Sequence, residues 1–230
     1  GSITGAADTT LYLEHITLGD GIVVVDSVRL GEDGTFMLSG EAPLNPELYR
    51  LRIGGQGINL AIDSTETVTV KADLGNMSFG YTVEGSGTCD TIRILSQKLA
   101  ELEKQVRQVA EDRNFTIQER DEKIDTLVAR YKSDVKMNFI RNRYGSTASY
   151  FACFQILGSV RLFDPMQDKS DLTWLRAVAN AWNEQYPGCP RSENLANIVA
   201  QGRRNLAKPK EIVLDLDNSK VRELGIIDIT

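Results

Sequence analysis

The residues able to do chemistry in this chain are few and scattered. A single histidine, His15, lies in the strand-like stretch "TLYLEHITL". One histidine cannot build a multi-histidine metal site, and a Ser-His-Asp or Cys-His relay would have to use it. Nothing around His15 supplies the partners, so a half-buried or exposed strand histidine is expected. The three cysteines, Cys89, Cys153 and Cys189, form no C-x-x-C pair, which leaves out thioredoxin-type dithiol chemistry within the chain. Cys153, in "YFACFQIL", reads as a core thiol. Cys89 falls near a helix start, where the dipole lowers a thiol pKa. A Cys89–Cys189 disulfide is left open. The clustered acids Glu119, Asp121 and Glu122 alternate with Arg120 and Lys123 and read as a solvated helix face. The expected inventory is therefore no catalytic residue, no metal site and no cofactor site.

Two loops invite a functional reading. Gly54-Gly55-Gln56-Gly57 is glycine-rich but lacks the G-x-G-x-x-G spacing, and no helix follows to hold a phosphate, so it reads as a hairpin turn. Asp63-Ser64-Thr65-Glu66 sets carboxylates and hydroxyls between strands, where such side chains bond the local backbone and make turns.

These residues are carried by two kinds of sequence. Residues 1–87 hold 12 acidic and 4 basic side chains, net −8; the remainder holds 20 and 22, net +2. That asymmetry points to two structural units, and the acidic first half argues against nucleic acid, which needs a basic face. With 41% hydrophobic and 25% charged residues, the 230-residue chain fits a soluble globular class. No apolar run approaches membrane-span length, and "GSITGAADTT" has neither the basic nor the apolar region of a secretory signal.

Within 1–87, short apolar or alternating runs recur between turn residues: "TLYLEHITL", "GIVVVDSVRL", "TFMLSG", "ELYRLRIG", "GINLAI", "TVTVKA" and "GYTVEG". Seven or eight strands at this spacing predict an antiparallel, sandwich-like sheet domain. From Thr88 the period changes. Ile92, Leu95, Leu99, Leu102, Val106 and Val109 share one helical face. Thr116 and Glu119 form a capping-box pattern for a helix running through Val135 and Phe139 toward Gly145. "TASYFACFQIL" predicts a buried helix, "DLTWLRAVANAWNEQY" another, and "PRSENLANIVAQGRRNL" a last one opened by Pro190. The expected fold class is α+β: an antiparallel β domain over 1–87, a helical bundle over 88–207, and a linker over 208–230. Its last residues, "GIIDIT", read as the opening of a strand.

The runs "VVVDSVRLGEDGTFMLSGEAP", "PELYRLRIGGQGINLAIDSTETVTV" and "YTVEGSG", then "STASYFACFQILG", "LFDP" and "VANAWNEQYPGCPRSENL", resemble the N-terminal part of Bacteroides-type envelope proteins of the thioredoxin-like, AhpC/TSA-like thiol–disulfide oxidoreductase family. The resemblance implies a redox domain with a C-x-x-C pair following "GIIDIT". It also implies a periplasmic, lipid-anchored location with the leader removed. The family's catalytic cysteines have no matching position here. What it implies for this chain is a noncatalytic accessory domain that positions the redox domain, self-associates or recognises a client protein. The alternative is an envelope module binding a small molecule, peptide or glycan, with Tyr49, Arg50, Arg52 and the Trp174/Trp182 region as contributors. A self-contained enzyme ranks behind both.

Overall fold

The structure is a computed structural model that describes residues 1–63 and 66–207. The expected linker and its terminal strand lie outside the described residues, as do Ser64 and Thr65 of the acidic turn.

The chain folds as α+β, strands first and helices after. Strands β1 (Ser2–Thr4), β2 (Thr10–Ile16), β3 (Ile22–Arg29), β4 (Glu47–Ile53), β5 (Gln56–Ile62), β6 (Thr69–Asp73) and β7 (Thr82–Glu84) make two sheets. The larger is antiparallel with order β3-β2-β4-β5; the smaller has order β1-β6-β7. One pair, β1 with β6, runs parallel, with Ser2 opposite Lys71, which the long connection between them permits. Ile3, Leu11, Leu51, Ile58, Val70 and Met77 fill the core between the sheets.

The expected strand "TFMLSG" does not form. Its only ladder contact is a bridge from Thr35 to Ser2. The Phe36 N–H donates to Gly1 O at 3.0 Å, but side chains take two other backbone donors: Asp33 accepts from the Thr35 N–H at 3.1 Å, and Asp26 accepts from the Ser39 N–H at 3.0 Å. Gly34 turns the chain at φ +62°, where a Cβ would overlap the Ile3 carbonyl oxygen, so only glycine fits. The loop therefore adds no strand to the outer edge of β3, touching it where Ser39 bonds Asp26 and Gly40 lies against Val25. Asp26 masks part of that edge by accepting from the Ser27 N–H at 2.8 Å, but Ile22, Val23, Val24 and Val25 are all exposed.

Helix α1 (Gly87–Glu111) packs its predicted apolar face inward, burying Ile92, Leu95 and Leu102. Helix α2 (Ile117–Val135) begins at the expected capping box of Thr116 and Glu119. It does not continue to Gly145: a π turn over Lys136–Ile140 ends it. There Lys136 O accepts from Arg141 N, while the Ser149 hydroxyl donates to Phe139 O and Arg143 O. Helix α3 (Thr147–Cys153) is shorter than "TASYFACFQIL" predicts. Gln155 is drawn inward, accepting from Tyr131 Oη at 2.7 Å, and the chain turns into the hairpin β8 (Ile156–Leu157) and β9 (Val160–Arg161). Helices α4 (Lys169–Gln185) and α5 (Pro190–Ala207) follow as expected, the latter opening on Pro190. Trp182 lies fully buried at their centre, with Tyr150 and Tyr186 packed at 5.0 and 5.2 Å between ring centroids.

The two hydrophobic clusters do not part at the boundary between strands and helices. Leu48 and Ala61 of the larger sheet belong to the helical core, and Cys89 of α1 belongs to the strand core. The sheet and α1 thus share a packed face.

Candidate functional site

The junction of sheet and bundle concentrates the polar chemistry. Its anchor is Arg191, in the first turn of α5 and almost wholly buried. Its Nε donates to Glu47 Oε2 at 2.8 Å, and one terminal nitrogen reaches Glu47 Oε2 and the Ile16 carbonyl, each at 2.5 Å. The other donates to Tyr150 Oη at 3.4 Å, and the guanidinium carbon lies 5.2 Å from that ring's centre. A buried guanidinium needs such partners to offset desolvation, and the planar fork can serve several at once. Glu47, at the start of β4, also meets His15 Nε2 at 3.0 Å, and His15 stacks on Tyr49 at 5.0 Å. His15 is therefore a half-buried strand histidine, held by one carboxylate and one ring.

Beside this clasp a polar cleft of about 440 Å³ opens between Asp63 after β5, Thr88 of α1, the loop carrying Arg143 and Ser146, and Gln185 and Tyr186 at the end of α4. Asp63 supplies its carboxylate, and behind it burial, then the neighbouring Asp63 carboxyl, pushes the Glu66 pKa up. Arg143 is exposed on the facing wall and touches Thr91 Oγ1 at 3.4 Å. The cleft offers a carboxylate, a guanidinium and several hydroxyls, and so suits a polar ligand with both donors and acceptors.

The side chains expected to contribute to binding lie elsewhere. Arg50 and Arg52 both hold Glu14, at 2.7 and 2.6 Å, and Arg52 also covers the Tyr12 ring at 4.6 Å. Tyr49 is buried against His15. Trp174 lines a separate cavity between α3, α4 and α5, and Trp182 is core.

All three thiols are free and buried. Cys89 does not show the lowered pKa expected at a helix start. Burial pushes it up, because the thiol sits inside the strand core, donating to Ala61 O at 3.1 Å and accepting from Ala61 N at 3.3 Å. Burial pushes the Cys153 thiol up to about 12. Among the described residues no group of three or more His, Cys, Asp or Glu side chains is placed to hold a metal ion, and no helix is long and apolar enough to cross a membrane.

Sequence reasoning missed Arg191, Glu47 and Arg143. One signal was present: a cation in the first turn of a helix opposes the helix dipole, so Arg191 broke a local rule and needed a tertiary partner.

A family model for a domain of unknown function, DUF4369, matches residues 1–92. The match takes in all seven strands of the β unit and ends in α1 just past Cys89, whose thiol belongs to the strand core. No curated protein and no solved structure matches the chain.

Proposed function

We propose that this chain is a noncatalytic accessory module of a thioredoxin-like thiol–disulfide oxidoreductase of the cell envelope, lipid-anchored on the periplasmic side in the full-length protein. The observation that carries the reading is the state of the cysteines. A reactive thiol is partly exposed and has a lowered pKa; all three here are buried, and Cys89 and Cys153 are shifted upward. On this reading the redox work belongs to the C-x-x-C domain that the resemblance places after Thr230. The module's role is to position that domain, to self-associate or to recognise a client protein.

Self-association draws support from β3. Antiparallel pairing of two copies about a two-fold axis between Val23 and Val24 sets Ile22 opposite Val25 and keeps the two Asp26 carboxylates at opposite ends. The purified chain tests both parts. Insulin-disulfide reduction should stay at the uncatalysed rate, and light scattering should show a concentration-dependent dimer that Val24→Lys abolishes. Turnover lost on replacing Cys89, Cys153 or Cys189 with Ala would overturn the noncatalytic reading; a monomer at every concentration would remove self-association.

The junction cleft favours a second reading, a module binding a polar peptide or glycan. A ligand retained on a glycan or peptide array by the native chain and released by Arg143→Ala would support it. Retention undiminished by Arg143→Ala would exclude the cleft.

A further inference from the structure

A second cavity, separate from the junction cleft, opens on the helical unit. Its volume is about 150 Å³, and Phe154, Phe163, Trp174, Leu175 and Ile198 make its walls largely apolar. Asp171 closes one side, but Lys132 at 2.6 Å and Lys136 at 2.9 Å already hold its carboxylate, so it offers an occupant nothing. Ile156 and Arg161, cross-strand partners in the β8–β9 hairpin, stand exposed at the mouth. Packed interiors rarely keep a void of this size, and one of roughly 150 Å³ holds a benzene-sized group. A leucine side chain is no larger than that.

Helix α5 leads from this cavity to the end of the described residues. Ile198 lines the cavity, as does Pro165 of the loop after β9. One turn further, Gly202 is so close to that loop that a Cβ would lie 2.5 Å from the Pro165 carbonyl oxygen, and Asn205 reaches Met166 Sδ at 3.6 Å. The helix ends at Ala207, about 14 Å along its axis from Ile198. The sequence that follows has the pattern to turn back. Pro209 cannot continue a helix. Ile212, Leu214 and Leu216 then alternate with Val213, Asp215 and Asp217, which in an extended chain puts three apolar side chains on one side and two carboxylates on the other. Extended chain from Ala207 spans about 17 Å to Ile212 and about 23 Å to Leu214, enough to regain the cavity.

We propose that the segment from Glu211 to Asp217 docks on the helical unit, with Leu214 seated in the cavity among Phe154, Trp174 and Ile198. Ile212 and Leu216 flank it on the same side, and the acidic side of the segment meets the exposed Arg161. Tethering favours this occupant over a ligand from solution, because a short linker holds the segment at an effective concentration on the order of millimolar. Docked in this way, the segment gives the positioning role a physical means: the tether to a following domain starts beside the β8–β9 hairpin, not at Ala207. That consequence rests on the accessory reading; the docking itself does not.

The test uses the whole chain with isotope-labelled methyl groups. Nuclear Overhauser contacts should join the Leu214 methyls to the Trp174 indole, at the same strength in dilute and concentrated samples. Leu214→Asp should expose Trp174, shifting indole emission to the red and increasing its quenching by acrylamide, while the fully buried Trp182 stays constant. Val213→Asp, on the opposite side of the segment, should change neither. Absence of the methyl–indole contacts would overturn the proposal, as would equal exposure of Trp174 in the two variants. Contacts that appear only in concentrated samples would also overturn it, since a second copy would then supply the leucine. The contacts are measured on the native chain and need no variant to fold. Insulin-disulfide reduction tests the accessory reading separately, so either can fail alone.

Discussion

Replacing Arg191 with Ala should lower stability by about 3–5 kcal/mol, the cost of stripping one partner from a buried ion pair. For a chain of this size that corresponds to a fall in Tm of roughly 10 °C. The loss has identifiable parts. Glu47 is left as an uncompensated carboxylate with His15 as its remaining neighbour, the Ile16 carbonyl loses its donor, and Tyr150 loses both a hydrogen bond and a stacked cation. Arg191→Lys should recover part of the loss, because an ammonium keeps the charge but cannot reach Glu47, Ile16 and Tyr150 together. Thermal unfolding followed by circular dichroism measures each variant. A double-mutant cycle with Glu47→Gln isolates the pair, and the two losses should be far from additive. A shift under roughly 2 °C for Arg191→Ala would mean that sheet and bundle are held by apolar packing, with the clasp contributing little.

Glu14→Ala should cost about 2–3 kcal/mol, somewhat less, because its partners Arg50 and Arg52 keep part of their hydration. The carboxyl is buried on β2, which by itself raises its pKa; the hydrogen bonds and charges of Arg52 and Arg50 outweigh burial and hold it below the ordinary carboxylate value. The sign of the pH dependence follows. A group whose folded pKa is depressed contributes its stability in full above the unfolded value of 4.5, and that contribution is lost as pH falls through the folded value. Urea midpoints measured at several pH values should therefore drop on acidification below about pH 4.5, and Glu14→Gln should flatten that acid limb while lowering the plateau at neutral pH. An acid limb of unchanged slope in Glu14→Gln would assign the acid sensitivity to other carboxylates.

Both predictions concern residues whose partners lie far away in the chain: Glu47 for Arg191, and Arg50 and Arg52 for Glu14. The helical period from Ile92 to Val109, the Thr116–Glu119 capping box and the opening of α5 at Pro190 were readable because each depends on contacts within a few residues. The alternation in "ELYRLRIG" was readable for the same reason, since neighbouring side chains on a strand face opposite sides. The readings that failed were those in which a side chain, near or distant in the chain, took over a backbone group or was itself drawn into the core. Asp26 and Asp33 took the donors of "TFMLSG", Ser149 took carbonyls beyond the end of α2, and Gln155 was drawn from the end of α3 toward Tyr131.

The candidate sites were still less visible. Cys89 carried a local cue, a helix start, that predicts a lowered pKa. Burial against Ala61, 28 residues earlier, reverses its direction. Arg143, Asp63 and Tyr186 share a cleft only because three loops converge there. Asp171 reads as an ordinary acid in the first turn of a helix, and nothing near it in the chain says that Lys132 of α2 and Lys136 of the π turn both pair with it.

The amino-acid sequence by itself determined the order of strands then helices, the α+β class and most helix boundaries, because periodicity and capping are short-range properties of the chain. Only the tertiary structure decided which charges are buried together, which thiols are buried and where space is left open. Those depend on desolvation and on distances between residues as far apart as Ile16 and Arg191, which no local pattern encodes.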